Sequence, residues 1–197
     1  MNPSAERKSL LRQKLRRELQ QMPAEARAQD SARIRQTLTA QPFWKEAPGI
    51  VAFVPMQTEP DIWPAVQAAA MEGRRICLPR YHAPTDRYLP AVVTDLEKDL
   101  QAGVHGILEP SERCPIGNVM PLDLILVPGI GFTPSGGRLG RGRGYYDRML
   151  ADLSGVRCGV AFDLQLISEL PLEPHDARLD HLVTPSLCVS ISRRVGS

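Results

Sequence analysis

The sequence lacks the long apolar segments of exported and membrane-embedded proteins. No apolar run approaches the length that crosses a bilayer, and the charged N-terminal stretch has no apolar segment of a secretory signal. An organelle transit peptide would suit the N-terminal arginines, but Glu6, Glu18 and the strong helical pattern disfavour it. We therefore expect a soluble cytoplasmic protein with no membrane partner.

Cysteine is also scarce, and the cysteines form no motif. The four of them are scattered without C-x-x-C spacing. This argues against a structural zinc site and against a disulfide framework. We therefore expect the four cysteines to be reduced thiols in a cytoplasmic protein.

Neither sign of charge is in strong excess, since the formal net charge is +2. The whole molecule therefore lacks the charge of a nucleic-acid coat, and we expect no nucleic-acid partner. The charge is unevenly spread, however. Residues 1–40 hold nine Lys or Arg against four acids, residues 138–148 hold four Arg against one Asp, and residues 163–180 hold five acids against one Arg. This distribution suits a site for an anion together with a metal ion, although charged runs are usually solvated faces.

Helical and strand patterns alternate along the chain. Two helices come first, one at 4–22 with Leu10, Leu15 and Leu19 at helical spacing and one from Pro23 to Pro42. The patterns then predict strands at 49–54, 75–78, 88–93, 124–127, 156–161 and 187–191, and helices at 61–73, 94–100 and 145–153. We expect an α/β fold: a single three-layer domain over residues 1–197, with a mostly parallel sheet, helices on both faces and two N-terminal helices.

An unusually long connection joins the strand at 124–127 to the helix that begins near Tyr145. Residues 128–144, here called the glycine–arginine loop, exceed the usual two to six residues of such a join. Seven glycines alternate in it with Arg138, Arg141 and Arg143. Glycines let the backbone approach a ligand, guanidinium groups offer forked donors to phosphate oxygens, and helix starts favour anions. The residues themselves therefore predict a cradle for a phosphorylated small molecule.

Neither the P-loop pattern nor the dinucleotide fingerprint fits this loop. One alternative is a flexible RG-rich segment that touches nucleic acid nonspecifically. Such tracts normally lie in disordered tails rather than between a buried strand and a helix, so the phosphate cradle is favoured. A nucleic-acid or ribosome-associated protein that uses the basic N-terminal helix is the corresponding rival from another functional class.

Residues 123–148, DLILVPGIGFTPSGGRLGRGRGYYDR, resemble the signature of the 5-formyltetrahydrofolate cyclo-ligase family, also called methenyltetrahydrofolate synthetases. Thr133 stands where this family often has Asp, and His105 stands where an aromatic residue often contacts the pterin. Other segments resemble the family in the same order along the chain: Lys8 and Arg12, Met56 to Glu59 and Asp61, Leu78 to Arg80, Glu109 with Pro110, and His175, Asp176 and Asp180. The resemblance covers nearly the whole chain.

The resemblance implies an ATP-dependent ligase that cyclises 5-formyltetrahydrofolate to 5,10-methenyltetrahydrofolate through a phosphorylated N5-formyl intermediate. ATP is then a co-substrate and Mg²⁺ is the cofactor. We expect a monomer, although the sequence itself carries no signal of oligomeric state. The implied ATP-binding residues are Lys8, Arg12, Arg138, Gly140, Arg141, Gly142, Arg143, Gly144, Tyr145 and Asp147. The implied folate contacts are Phe53, Met56, Glu59, His105, Tyr145 and Tyr146, and the implied catalytic residues are Arg141, Arg143 and Tyr146. The implied magnesium ligands are Asp147 and Asp176, with Asp180 nearby.

Several of these residues have simpler interpretations. Lys8 and Arg12 lie four apart and are compatible with a solvated cationic face. Glu59 is compatible with an ordinary loop acid before a helix, and the tyrosine pair with half-buried packing. His175 with Asp176, and Asp180 with His181, would suit a transition metal, but two histidines six apart on a helix point to different faces. Within enzymes, a phosphotransferase acting on another small metabolite stays open.

Overall fold

The computed structural model describes residues 3–118, 120, 123–171, 173 and 176–191, with only the backbone of Pro3 and His105. It begins with helices α1 (Pro3–Gln21), α2 (Ala24–Ala40) and α3 (Pro42–Lys45). The two predicted N-terminal helices are confirmed. Pro23 separates them and Pro42 begins α3, because proline tolerates a first helical turn but not a helix interior.

The rest of the chain alternates mainly between strands and helices. Its strands are β1 (Gly49–Val51), β2 (Arg75–His82), β3 (Arg87–Val93), β4 (Leu100–Ala102), β5 (Leu108–Pro110), β6 (Leu124–Val127), β7 (Gly131–Phe132), β8 (Arg138–Leu139), β9 (Val156–Val160), β10 (His181–Val183) and β11 (Cys188–Ser190). Its further helices are α4 (Trp63–Met71) and α5 (Tyr145–Ala151).

Seven strands form one sheet in the order β11-β10-β9-β6-β1-β2-β3. The five inner strands, from β10 to β2, run parallel, and the two edge strands pair antiparallel with their neighbours. The strand pairs β4–β5 and β7–β8 lie outside this sheet. The prediction of a mostly parallel α/β sheet is confirmed.

The sheet has a helical layer on each face. Alternate strand residues such as Ile50 and Leu126 pack with side chains of α2, α3 and α4. The residues between them, such as Val51 and Ile125, pack with Leu150 of α5. All four residues of β6 are buried, as expected of an inner strand covered on both sides. In the described part of the chain, no helix has the length and apolar character to cross a membrane.

One local prediction was wrong, and one strand of the main sheet was missed. Residues 94–99 form a turn rather than a helix, because the Asp99 carboxylate accepts the backbone N–H groups of Thr94 and Asp95. Such local hydrogen bonds compete with helix formation. The strand β10 was not predicted, since its three residues carry no extended pattern.

The fold brings three segments to one edge of the sheet. The segment after β1 and the glycine–arginine loop after β6 both follow carboxyl ends of parallel strands, where α/β sheets bind ligands. Helix α1 packs on the loop, because Leu15 joins Ile130 and Leu139 in a small buried cluster. This edge therefore holds both sequence motifs and the first helix.

Candidate active site

A cleft of about 360 Å³ lies at this edge of the sheet. Its walls come from the segment after β1, the ends of β2 and β3, the segment around β5, the glycine–arginine loop and the start of α5. Eleven of the residues expected in the site line it: Phe53, Met56, Glu59, Arg138, Gly140, Arg141, Arg143, Gly144, Tyr145, Tyr146 and Asp147. Phe53 also belongs to the buried core.

Four expected residues do not line the cleft. Arg12 and Gly142 lie in an adjoining open groove, here called the basic groove, which shares Arg16, Arg141 and Arg143 with the cleft. Lys8 of α1 and Asp176 contact each other and line neither the cleft nor the basic groove. His175 lies outside the described residues, and so does the side chain of His105.

The first half of the glycine–arginine loop is an ordered hairpin of β7 and β8. The Thr133 hydroxyl accepts the Gly137 N–H at 2.9 Å, and Gly136 between them has a φ of 89°. A side-chain oxygen at position 133 thus closes the turn. The threonine hydroxyl accepts this hydrogen bond in the same way as an aspartate carboxylate would. Residues at the start of the loop and from Arg138 onward line the cleft, whereas the tip of this hairpin does not.

Arg138 is held rigidly at the base of the cleft. It is 5% exposed, and its Nη2 donates to Asp147 Oδ1 at 2.5 Å while its Nη1 donates to the Pro128 carbonyl at 3.2 Å. Its guanidinium lies 5.8 Å from the centre of the Tyr146 ring. A buried guanidinium paired with one carboxylate keeps a strong, fixed charge in this wall.

Arg141 crosses the cleft to pair with Glu59. Its Nη2 lies 2.7 Å from Glu59 Oε1, and the Met56 N–H donates to Glu59 Oε2 at 3.0 Å. Glu59 is only 6% exposed, so it is not an ordinary loop acid. The residue expected to meet the pterin and a residue expected to meet phosphate therefore contact each other directly.

Tyrosines line the wall next to this ion pair. The hydroxyl of Tyr146 is buried and has no hydrogen-bond partner in the described part of the chain. Burial raises the pKa of Tyr146, the charge of Glu59 raises it further, and the charge of Arg138 opposes them. Tyr145 meets Tyr88 edge-on at 5.6 Å. The tyrosine pair is thus part of the cleft and not packing alone.

Two cations of α1 that were expected in the site contact other segments of the chain. Lys8 is 8% exposed, and its Nζ lies 2.9 Å from Asp176 Oδ2 and 3.1 Å from Glu173 Oε2. Burial lowers the pKa of Lys8, but these two acids raise it more, so the net shift is upward. Arg12 Nε donates to the Gly140 carbonyl at 2.8 Å. The solvated-face interpretation of this pair is therefore wrong.

Comparison with known proteins gives the same assignment as the motifs. The model of the "5-formyltetrahydrofolate cyclo-ligase family" matches residues 4–185. The chain belongs to this family of ligases. A mouse 5-formyltetrahydrofolate cyclo-ligase is 27% identical over 88% of this chain and 91% of its own length. The Escherichia coli K12 protein of the same name is 31% identical over 70% of this chain and 78% of its own length.

Solved structures agree with this membership. A 5,10-methenyltetrahydrofolate synthetase of Aquifex aeolicus superposes with a TM-score of 0.84 at 30% identity, over 96% of this chain and 94% of its own. The Mycoplasma pneumoniae synthetase superposes with a TM-score of 0.72 at 20% identity, over 91% and 99%, and supports the fold alone.

The two acids expected to bind magnesium are each paired with a cation. Asp147 Oδ1 lies 2.5 Å from Arg138 Nη2, and Asp176 Oδ2 lies 2.9 Å from Lys8 Nζ. Within the described residues, no three His, Cys, Asp or Glu side chains gather into a metal-binding group. Asp147 and Asp176 therefore do not form a complete magnesium site by themselves. They fit the usual arrangement at nucleotide sites, in which one or two carboxylates and the phosphate oxygens bind Mg²⁺ together.

Asp180 and His181 do not belong to this site. The Asp180 carboxylate accepts the Arg157 N–H at 2.9 Å, at the amino ends of β9 and β10 and so at the opposite edge of the sheet. His181 stacks on Phe43 at 4.1 Å and hydrogen-bonds Ser190. Both residues are structural.

Sequence reasoning missed three polar residues of the cleft: Arg16, Tyr88 and Glu109. Glu109 is buried and accepts the Tyr88 hydroxyl at 3.1 Å and the Tyr81 N–H at 2.9 Å. The pair of Glu109 with Pro110 resembles the family, and this could have placed Glu109 in the site. Arg16 lies four residues after Arg12 on the same helix face, which is a weaker indication that it belongs to the site.

Proposed function

We propose that this protein uses MgATP to convert 5-formyltetrahydrofolate into 5,10-methenyltetrahydrofolate, with release of ADP and phosphate. The observation that carries the proposal is the ion pair of Arg141 with Glu59 inside the cleft. It places the loop suited to phosphate and the carboxylate suited to an aminopyrimidine within one chamber. Membership of the ligase family supports the same reaction.

On the nucleotide side, the proposal assigns the triphosphate to the cations of the loop and of α1. Arg141 and Arg143 line both the cleft and the basic groove, while Arg12 is anchored to the loop backbone. Guanidinium forks pair with phosphate oxygens and neutralise their charge. Asp147 and Asp176 would hold Mg²⁺, which when bound supplies further neutralisation of the transferring phosphoryl group.

On the folate side, Glu59 is suited to accept hydrogen bonds from the aminopyrimidine edge of the pterin. Phe53 and Leu108 give the cleft an apolar lining, and Tyr88 and Tyr145 offer ring faces and edges. The hydroxyl of Tyr146 is a donor without a protein partner among the described residues, so a substrate oxygen would satisfy it.

The proposed chemistry has two steps. The N5-formyl oxygen attacks the γ-phosphorus, so an O–P bond forms and ADP leaves. N10 then attacks the formyl carbon, loses its proton, and expels the phosphate as the ring closes. Phosphorylation matters because the formyl oxygen alone is a poor leaving group. The side chains contribute orientation and charge neutralisation, chiefly from Arg141, Arg143 and Tyr146.

No covalent nucleophile is required, and none is suggested by the cleft. Cys77, Cys114 and Cys158 are buried and do not line it. Burial raises the pKa of Cys77 to about 11, which keeps that thiol protonated at neutral pH. We also infer a cytoplasmic monomer, although one relative, from Arabidopsis thaliana, is named as mitochondrial.

The direct test is turnover by the purified protein. Mixing it with MgATP and 5-formyltetrahydrofolate should produce methenyltetrahydrofolate, which is measured by its absorbance. One ADP should form for each molecule of methenyltetrahydrofolate. Asp147→Asn is the matched variant, because it keeps the shape of the side chain and removes the charge that Arg138 and magnesium need. No product above a reaction without ATP would refute the proposal. ADP release without methenyl product would indicate a phosphotransferase for another metabolite.

A further inference from the structure

Two side chains of helix α1 donate hydrogen bonds to successive backbone carbonyl groups of the glycine–arginine loop. Arg12 Nε donates to the Gly140 carbonyl and Arg16 Nη2 donates to the Arg141 carbonyl, each at 2.8 Å. The two arginines lie four apart and so share one helix face. The two side chains thereby hold two consecutive peptide groups of the loop.

These contacts decide which way the next N–H groups point. In a trans peptide the C=O of one residue and the N–H of the next point in opposite directions. With both carbonyls turned towards α1, the N–H groups of Arg141 and Gly142 face away from it. Neither donates to a protein acceptor within the described residues. Two neighbouring backbone donors are thus held on the side of the loop that faces away from α1.

The backbone beyond them has the form of an anion-binding turn. Gly142 and Gly144 have φ values of 110° and 67°, in the left-handed region that side chains disfavour. Left-handed residues at alternate positions let successive N–H groups converge on an anion. Gly142 is also close to α1, since a Cβ atom there would lie 3.6 Å from Arg12 Nε.

The surrounding charge favours an anion as well. The basic groove is lined by five arginines, with Ser9, two glutamines and Gly142, and none of its described lining residues is acidic. Burial and the charge of Arg16 lower the pKa of Arg12, whereas the charges of Asp147 and Asp176 oppose that shift. An arriving anion would further favour the charged form of Arg12.

We propose that Arg16 is a positioning residue for the nucleotide: it holds the Arg141 carbonyl so that the N–H of Gly142 meets a phosphate oxygen. The inference rests on the proposed function in taking ATP as the ligand. Arg16 acts through the loop backbone and not by its charge alone. It therefore differs from Arg17, its neighbour on α1, which also lines the basic groove but makes no hydrogen bond to the loop among the described contacts.

The test compares substitutions that remove the same charge from adjacent exposed positions. Arg16→Met keeps the aliphatic stem and removes the donors, and Arg17→Met is the matched control. The dissociation constant of MgATP is measured by calorimetry without folate, at about 0.15 M salt. Loss of a charge-assisted hydrogen bond predicts about tenfold weaker binding for Arg16→Met and less than about twofold for Arg17→Met. Arg16→Lys, which retains one donor, should recover most of the affinity.

A second measurement follows the loop itself. Hydrogen exchange should show that MgATP protects the amides of Arg141 and Gly142 in the wild type and in Arg17→Met but not in Arg16→Met. Melting temperatures confirm that each variant is folded, and Arg16→Ala serves if Arg16→Met is not. Equal loss of affinity in both Met variants, or none in Arg16→Met, would overturn the inference.

These outcomes are separate from those of the proposed function. A wild type that turns over substrate while Arg16→Met binds MgATP normally would refute only the positioning role. A wild type that binds MgATP through Arg16 but forms no methenyl product would refute only the reaction. Absence of MgATP binding by the wild type would overturn both.

Discussion

At the scale of single residues, two tyrosines in the same cleft have opposite hydrogen-bonding states. The Tyr88 hydroxyl donates to the buried carboxylate of Glu109. The Tyr146 hydroxyl is buried without a partner in the described part of the chain. An unpaired buried polar group destabilises a fold by about 1–3 kcal/mol, and such groups are tolerated where a ligand completes them. The two hydroxyls should therefore respond differently to deletion.

Tyr146→Phe should keep or raise the free energy of unfolding, by up to about 1 kcal/mol, because it removes an unsatisfied hydroxyl. It should also lower turnover at least about tenfold, because the donor expected to meet substrate is lost. Tyr88→Phe is the control: it leaves a Glu109 oxygen without its donor, so stability should fall by about 1–3 kcal/mol. Denaturant unfolding and steady-state turnover measure both. Normal turnover in Tyr146→Phe would make that residue a packing residue only.

The sequence predicts part of this residue-level arrangement and misses part of it for a physical reason. Arg138, Arg141, Tyr146 and Asp147 share one short segment, so their common location follows from the chain itself. Glu109 reaches the cleft only because β5 lies beside β2, a long-range contact that local spacing does not encode. The pairing of Arg141 with Glu59 across 82 residues is equally invisible in the sequence.

At the scale of elements, α1 is both a structural support and a wall of the site. Its inner face buries Leu15 against Ile130 and Leu139, and a Cβ atom added at Gly131 would meet Leu15 Cδ1 at 2.8 Å. Arg12 and Arg16 of the same helix hold the loop backbone. Loss of the inner packing should therefore disturb the loop as well as the fold.

Leu15→Ala should lower the free energy of unfolding by about 2–5 kcal/mol, because Leu15 is 2% exposed and leaves a cavity. Leu10→Ala on the same helix should change it by less than about 0.5 kcal/mol, since Leu10 is 62% exposed. Urea unfolding monitored by tryptophan fluorescence gives both values. Similar losses in the two variants would contradict the packing of α1 described here.

Which elements could be predicted depends on length and local competition. Helix α1 has several turns of apolar periodicity, and β6 is a continuous apolar run, so both were predicted. The segment 94–99 has good helix-cap residues, yet its aspartates bind neighbouring N–H groups and close a turn. Strand β10 has three residues and is specified by its neighbours β9 and β11 rather than by its own pattern.

At the scale of the whole molecule, one core cluster runs from α1 through the sheet to β10. Such shared packing favours unfolding as one unit, and we propose that the chain is a single domain. Scanning calorimetry should then show one transition. MgATP should raise the temperature of this transition. At a free MgATP concentration one hundred times its dissociation constant, binding should stabilise the folded state by about 2.7 kcal/mol. ATP with a chelator should shift the transition less if Asp147 and Asp176 hold magnesium.

Two separate transitions would contradict the single domain. Equal shifts with and without magnesium would contradict the metal assignment, and Asp176→Asn should abolish the difference between them. Because that variant also removes the partner of Lys8, its own melting temperature without ligand is the required baseline.

The contact of Lys8 with Asp176 joins positions 168 residues apart. During synthesis at about 5–20 residues per second, the lysine leaves the ribosome roughly ten to thirty seconds before its aspartate. In that interval the nascent chain has Lys8 but lacks Asp176, and for most of it the chain also lacks the loop arginines and Asp147. A growing chain should therefore not bind MgATP as the full chain does until Asp176 has left the ribosome.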